Sequence, residues 1–143
     1  MGLNRRILFA RVPQGLPVPA DFGQDTVEVP APEAGQFLSR TLWLSLDPFL
    51  RNVMKGHALY GVALHPGDPM YGETVAQVVE SRHPGFAVGD YVVVKNGWQQ
   101  YALSDGQGVR KVDPAAAPLT TALGVLGMPG LTGYAGLVYL GEP

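Results

Sequence analysis

The chain has 143 residues and a formal net charge of −2, and only 15% of its residues are charged, against about 25% in an ordinary soluble domain. This length allows one domain with its own core, and the low charge indicates that part of the surface is covered by further protein. A weakly acidic chain offers no basic field to nucleic acid or to an anionic membrane. The lack of cysteine excludes disulfides and thiolate zinc sites, and it fits a cytoplasmic protein.

The body of the chain predicts β-structure. Thirteen prolines and nineteen glycines interrupt the apolar runs before long helices can form. In the fourth strand the apolar residues come as Val75-Ala76 and Val78-Val79 without alternation, so we expect this strand to be covered on both faces. Seven short strands at this spacing favour a barrel or a sandwich. They are predicted over residues 5–12, 26–29, 36–46, 73–81, 90–95, 97–103 and 109–112.

Two local patterns predict specific turns. Asp47 is a typical N-cap residue and Pro48 a typical first helical residue, so a short helix is expected over residues 49–54. Asn96-Gly97 is a hairpin signal, and it predicts that the strands on either side of it pair with each other.

The last part of the chain, residues 119–140, carries no charge at all. A run of about 20 apolar residues can span a bilayer, but Pro129 and the repeated glycines argue against a spanning helix. We expect two short helices with a non-helical joint at Met128-Pro129-Gly130. The second helix would then present an apolar stripe that this chain has too little barrel to cover, consisting of Leu131, Tyr134, Leu137 and Val138.

Few side chains stand out as candidates for chemistry. The three histidines, His57, His65 and His83, have no metal-ligand spacing, so no metal site is expected. Arg51 is a candidate for binding a substrate carboxylate or phosphate, or else it pairs with an acid such as Asp47 or Glu73.

Several aromatic residues either face a pocket or belong to the core or its rim. No Ser-His-Asp or paired-carboxylate arrangement is present, so no catalytic residue is assigned. The aromatic candidates are Tyr60, Tyr71 and Trp98.

Five segments occur in an order that resembles one known group of enzymes. They are residues 44–51 (LSLDPFLR), 71–73 (YGE), 86–92 (FAVGDYV), 97–98 (GW) and 127–137 (GMPGLTGYAGL). The chain resembles the zinc-free branch of the medium-chain dehydrogenase/reductase superfamily, namely the NADPH-dependent prostaglandin, alkenal and curcumin-type double-bond reductases. The resemblance implies a mainly β, GroES-like, partly open barrel with short helices and C-terminal linking helices. Residues 1–128 would form the catalytic, substrate-side domain, and residues 129–143 would begin the helical connection to a Rossmann cofactor domain.

The resemblance also implies an activity. The complete enzyme would use NADPH to reduce the C=C bond of enals and enones by hydride transfer, as a cytoplasmic homodimer without zinc. Phe49, Arg51 and Tyr71 would bind substrate. The family often has tyrosine at the position of Phe49, so this chain lacks a hydroxyl there. On the nicotinamide side, the implied cofactor-binding residues are Met128, Pro129 and Thr132.

A dinucleotide-binding turn is not recognisable in the sequence. The glycines between residues 124 and 133 recur every third position and do not give the required strand, turn and spacing. We therefore expect this chain alone to be inactive and to bind NADPH weakly. Two alternatives stay open: a quinone reductase of the same superfamily, and a non-enzymatic GroES-like binding or assembly module. The reading frame beyond Pro143 would discriminate between them.

Overall fold

The computed structural model describes residues 2–55 and 61–141, and these ranges contain all seven predicted strands. Short 3-10 helices cover Pro19–Asp21 and Leu119–Leu123, and a π-helical turn, Gly136–Leu140, extends the last helix. The mainly β fold class is therefore confirmed. The elements are β1 (Leu3–Phe9), β2 (Phe22–Glu28), β3 (Phe37–Leu44), α1 (Leu50–Val53), β4 (Thr74–Ser81), β5 (Tyr91–Val94), β6 (Tyr101–Ser104), β7 (Arg110–Val112) and α2 (Met128–Ala135).

The strands form a five-stranded sheet and a separate two-stranded ribbon. The sheet has the order β6-β3-β4-β5-β7, the ribbon pairs β1 with β2, and every described pair is antiparallel. Backbone hydrogen bonds of 2.8 Å, from Ile7 N to Trp98 O and from Met70 N to Ile7 O, attach the ribbon to the loops of the sheet. The sheet does not close on itself, which agrees with the partly open GroES-like barrel.

Strand β4 lies at the centre of the sheet and is buried on both faces, as its sequence predicted. Ala76 and Val78 pack with Phe37 on one face, whereas Val75 packs on the other face with Ala122 of the C-terminal segment. A strand covered on both sides has no need for apolar and polar residues to alternate.

A third hydrophobic cluster lies beneath the ribbon and holds α1 in position. Phe9 of β1 packs against Leu50, Val53 and Met54 of the α1 segment and against Met70, which precedes β4. The short helix α1 is too short to be stable alone, so this burial is what holds it in place.

The predicted hairpin at Asn96-Gly97 is wrong. Strand β5 pairs with β4 and β7, and β6 pairs with β3. Gly97 has a φ of 72°, but its role is close packing: a Cβ there would lie 2.7 Å from the carbonyl oxygen of Met70. Asn96 is buried and donates from Nδ2 to Ser39 Oγ at 2.9 Å. Both residues therefore serve long-range contacts instead of a two-residue turn.

The structure also corrects the two helix boundaries. The N-cap of α1 is Phe49 rather than Asp47, because the chain first makes a turn in which Leu50 N donates to Asp47 O at 3.0 Å. Met128-Pro129-Gly130 is the first turn of α2 and not a non-helical joint. Proline is tolerated in a first turn because the N–H that it lacks would have no partner within the helix.

The apolar stripe of the last helix is exposed, as predicted. Leu131 is 68% exposed, Tyr134 58% and Leu137 61%, and α2 contains no buried residue. Within the described ranges, no helix has the length and apolar character needed to cross a membrane.

Candidate functional site

An apolar cleft of about 390 Å³ lies between α1 and the connection from β1 to β2. The turn before α1 and the helix itself form one wall, and Pro17 with Phe22 forms the other. Met54, Met70 and Trp98 line the base. The cleft exists because the cluster beneath the ribbon fixes α1 while the long β1–β2 connection passes over it.

Two of the predicted substrate-binding residues meet beside this cleft. The rings of Phe49 and Tyr71 pack edge to face, with their centroids 5.8 Å apart and their planes at 90°. Both rings are half-buried against the same cluster as Leu50. Phe49 contributes only an apolar ring, whereas Tyr71 carries a phenol that can donate or accept a hydrogen bond.

The third predicted residue, Arg51, lines the cleft, but its guanidinium is bound to the β1–β2 connection. Its Nη2 donates to Gly15 O at 2.8 Å and to Pro13 O at 3.4 Å. Its Nη1 is buried and has no hydrogen-bond partner among the described residues. The alternative that Arg51 pairs with Asp47 or Glu73 is not what the described residues show.

Asp21 forms a second anchor of the same connection, and the sequence analysis missed it. The residue is 2% exposed, and its carboxylate accepts a hydrogen bond from Arg11 Nε at 2.8 Å and another from Val18 N at 2.9 Å. The hydrogen bond from Arg11, then the one from Val18, lower the pKa of Asp21, and the charge of Arg51 acts in the same direction. Arg11 lies ten positions away, so no local pattern in the sequence indicates this pair.

Trp98 forms part of the base of the cleft and is shared with a second cavity. Its ring stacks on Phe22 with centroids 5.7 Å apart, and its Nε1 is buried without a partner among the described residues. The second cavity, of about 490 Å³, lies between the ribbon and β3. There Arg6 donates to Asp25 through Nε at 2.8 Å and Nη2 at 2.5 Å, which lowers the pKa of that carboxyl.

The predicted cofactor-side residues lie elsewhere, at the start of α2. Met128 and Pro129 are exposed, and the hydroxyl of Thr132 donates to Met128 O at 2.8 Å. The donor of Thr132 is thus used within the helix, while its oxygen can still accept a hydrogen bond. Among the described residues, no hydrogen bond, ion pair or ring contact joins this group to Arg51 or Tyr71.

These residues fit only one end of a dinucleotide. Met128, Pro129 and Thr132 offer an exposed, largely apolar wall that suits a nicotinamide ring. A pyrophosphate site of the Rossmann type needs a parallel strand-turn-helix unit, and every strand pair among residues 2–55 and 61–141 is antiparallel.

The described part of the chain contains no cluster of three or more side chains able to hold a metal ion. His65 lies 3.3 Å from Asp68, and His83 packs its ring against Phe37 and Phe86. Two other residues singled out in the sequence, His57 and Tyr60, lie outside the described residues.

Comparison with known proteins gives this cleft a context. Residues 5–112 match the family described as the N-terminal domain of oxidoreductase. The NADPH-dependent curcumin reductase of Escherichia coli is 43% identical over 140 residues, which are 98% of this chain and 41% of that protein. Prostaglandin reductase 1 of Rattus norvegicus is 42% identical over 128 residues, covering 87% of this chain and 37% of that protein.

A solved structure agrees in fold as well as in sequence. The crystal structure of CurA from Vibrio vulnificus in complex with NADPH superimposes with a TM-score of 0.89 at 38% identity, over 97% of this chain and 41% of that one. The chain belongs to the medium-chain dehydrogenase/reductase family of prostaglandin, alkenal and curcumin-type reductases, and it corresponds to their N-terminal oxidoreductase domain. It spans about two fifths of the length of these relatives.

Proposed function

We propose that this chain is the substrate-side domain of an NADPH-dependent oxidoreductase that reduces the C=C bond of α,β-unsaturated aldehydes and ketones. The observation that carries the proposal is the apolar cleft beside the Phe49–Tyr71 ring pair. Similarity to a curcumin reductase and a prostaglandin reductase supports it. In this proposal residues 1–128 form the catalytic domain, and residues 129–143 begin the helical connection to a cofactor domain.

The cleft would bind the apolar body of the substrate and exclude water from the reacting carbons. Reduction of an enal or enone places negative charge on the carbonyl oxygen, and donors in a dry site stabilise such charge far better than they do in water. Tyr71 provides a phenol next to the ring of Phe49, so we assign it to binding of the substrate. Arg51 lines the same cleft with its aliphatic stem.

NADPH, when bound, supplies the hydride. Met128, Pro129 and Thr132 would form a wall against the nicotinamide, and the oxygen of Thr132 would accept a hydrogen bond from its amide. The phosphate contacts would come from protein outside the described residues. We further propose that the complete enzyme works without zinc, as a cytoplasmic homodimer.

A hybrid enzyme tests the proposal. The 140 residues matched by the curcumin reductase would replace its own N-terminal 41%, and NADPH oxidation would be followed with enals, enones and quinones. We expect the hybrid to reduce enals and enones. The chain alone should show little or no NADPH binding by calorimetry. Turnover of quinones only would favour a quinone reductase, and low-micromolar NADPH binding by the chain alone would contradict the domain assignment.

Elemental analysis addresses the metal. Purified hybrid should contain clearly less than one zinc per chain, and its activity should survive a chelator. One full equivalent of zinc that resists chelation would overturn this part of the proposal.

Phe49 offers a test of the substrate site. Phe49→Tyr adds only a hydroxyl to the ring, and the substitution should cost less than about 1.5 kcal/mol of stability. It should change the ratio of kcat/KM between enals and enones. Unchanged ratios across the panel would place Phe49 away from the substrate.

A further inference from the structure

We propose that Arg51 is a positioning residue that fixes the strap, defined as residues 13–18, across the mouth of the cleft, and that the strap thereby sets the length of substrate the cleft prefers. The inference rests on the proposed function. It differs from the expectation that Arg51 holds a substrate anion, because its guanidinium donates to backbone carbonyls of the strap.

The first step is the contact itself. Arg51 reaches from α1 to two carbonyl oxygens of the strap, Gly15 O at 2.8 Å and Pro13 O at 3.4 Å. Hydrogen bonds from a charged donor are about twice as strong as neutral ones, and a guanidinium can serve two acceptors at once. Gly15 has a φ of 91°, a backbone conformation that favours glycine, and in this conformation its carbonyl accepts the hydrogen bond from Arg51. Without that bond the segment around Gly15 would have few contacts.

The second step is that the strap is held at its other end independently. Val18 N donates to the buried carboxylate of Asp21 at 2.9 Å, and Asp21 is in turn bound by Arg11. Between the two anchors, Leu16 is 86% exposed and adds no packing of its own. Loss of the Arg51 anchor should therefore free residues 13–17, Pro17 included, and leave the strap attached through Val18 alone.

The third step connects the strap to the cleft. Pro17 is a strap residue and lines the cleft opposite Leu46 and Arg51, next to Phe22. A short substrate occupies the base near Met70 and Trp98 and does not reach Pro17. A substrate with a long apolar tail extends to the mouth and buries its tail against this wall, where each methylene contributes about 0.8 kcal/mol when fully buried.

Two variants and one control separate anchoring from general damage. Arg51→Met keeps the apolar stem but has no donor, and Arg51→Lys keeps a single charged donor group that reaches one carbonyl. Arg40 is an exposed arginine on β3, so Arg40→Met removes the same charge away from the strap. Backbone order parameters are measured by NMR relaxation on the chain itself at the strap amides Gln14, Gly15 and Leu16. KM and kcat are measured on the hybrid enzyme with straight-chain enals of increasing length.

We expect Arg51→Met to lower the order parameters of the strap amides from about 0.85 to below about 0.6. It should also raise KM for the longest enal about tenfold more than KM for the shortest. Arg51→Lys should fall between Arg51→Met and the parent, and Arg40→Met should match the parent. Unchanged order parameters in Arg51→Met would overturn the anchor. Lower order parameters with an equal change in KM at every length would overturn the role in specificity. If the parent hybrid reduces no enal, the proposed function fails, and the anchor is judged by the order parameters alone.

Discussion

The five-stranded sheet and the C-terminal segment of residues 124–141 obtain their structure in different ways. Strand β4 is fully buried at Val75 and Ala76 and pairs on both edges, so tertiary contacts define it. Helix α2 and the π-helical turn after it bury no residue, and they expose Leu131, Tyr134 and Leu137. Their order rests on local hydrogen bonds, which stabilise an isolated short helix only marginally in water. The chain thus holds a β-body, formed by the two sheets and α1 and ordered by tertiary contacts, and a C-terminal segment whose apolar side chains are exposed.

Truncation of one aromatic ring in each region should give the largest difference in the free energy of unfolding. Phe37→Ala removes a fully buried ring that packs 4.7 Å from the ring of Phe86, and it should cost about 3–5 kcal/mol in urea unfolding. Tyr134→Ala removes a ring that is 58% exposed and should change the free energy of unfolding by less than about 0.5 kcal/mol. Equal losses would mean that the C-terminal segment packs on the β-body.

Hydrogen exchange compares the two regions without mutation. Amides of residues 131–140 should exchange at least about a hundredfold faster than those of β4, because only local opening is needed to expose them. Light scattering on the same sample reports self-association. A strict monomer with strongly protected amides throughout residues 131–140 would show that this segment packs on its own β-body. Protection that appears only in a dimer would show that a second copy covers the stripe.

Two glycine substitutions probe the boundary between the regions. A Cβ at Gly127 would contact the carbonyl oxygen of Ala122, so Gly127→Ala should cost about 1–3 kcal/mol by overpacking. Gly133 lies within α2, and a Cβ added there would have no atom within 4 Å. Because alanine favours the helix over glycine by up to about 1 kcal/mol, Gly133→Ala should stabilise α2 and raise its helicity. Urea unfolding and far-ultraviolet circular dichroism measure the two effects. A harmless Gly127→Ala would show that Gly127 does not approach the carbonyl of Ala122 this closely.

Acid should weaken the β-body and leave the charge-free segment unaffected. Because hydrogen bonds from Arg11 and Val18 lower the pKa of Asp21 in the folded chain, its contribution to stability is complete above the unfolded pKa of about 3.9 and is lost as the pH falls through the lower folded value. Asp21→Asn should reduce stability at neutral pH and flatten the loss below about pH 4. The exposed Asp105→Asn serves as the control. An unaltered acid profile in Asp21→Asn would show that this pair does not stabilise the fold.

The sequence predicted what depends on local pattern and missed what depends on distant partners. All seven strands were found, yet β2 begins at Phe22, four residues before its predicted start, because its extent is set by pairing with β1. Asn96-Gly97 looks like a hairpin locally, but its Gly97 is required by the carbonyl of Met70.

The candidate site divides in the same way. Phe49 and Tyr71 were predicted and do meet, since their motifs flank α1 and the start of β4. The hydrogen bonds of Arg51 to the strap join residues 36 and 38 positions apart, and no spacing rule indicates them. The buried Asp21 was missed for the same reason.

The placement of the two tryptophans gives the protein its own optical reporter. Trp98 stacks on Phe22 at the base of the cleft, whereas Trp43 is 52% exposed on β3. An indole in an apolar surrounding emits at shorter wavelength than one in water, so the two signals should be separable. Replacing Trp43 with phenylalanine would leave a single fluorophore whose quenching follows occupancy of the cleft, even in a chain that performs no chemistry.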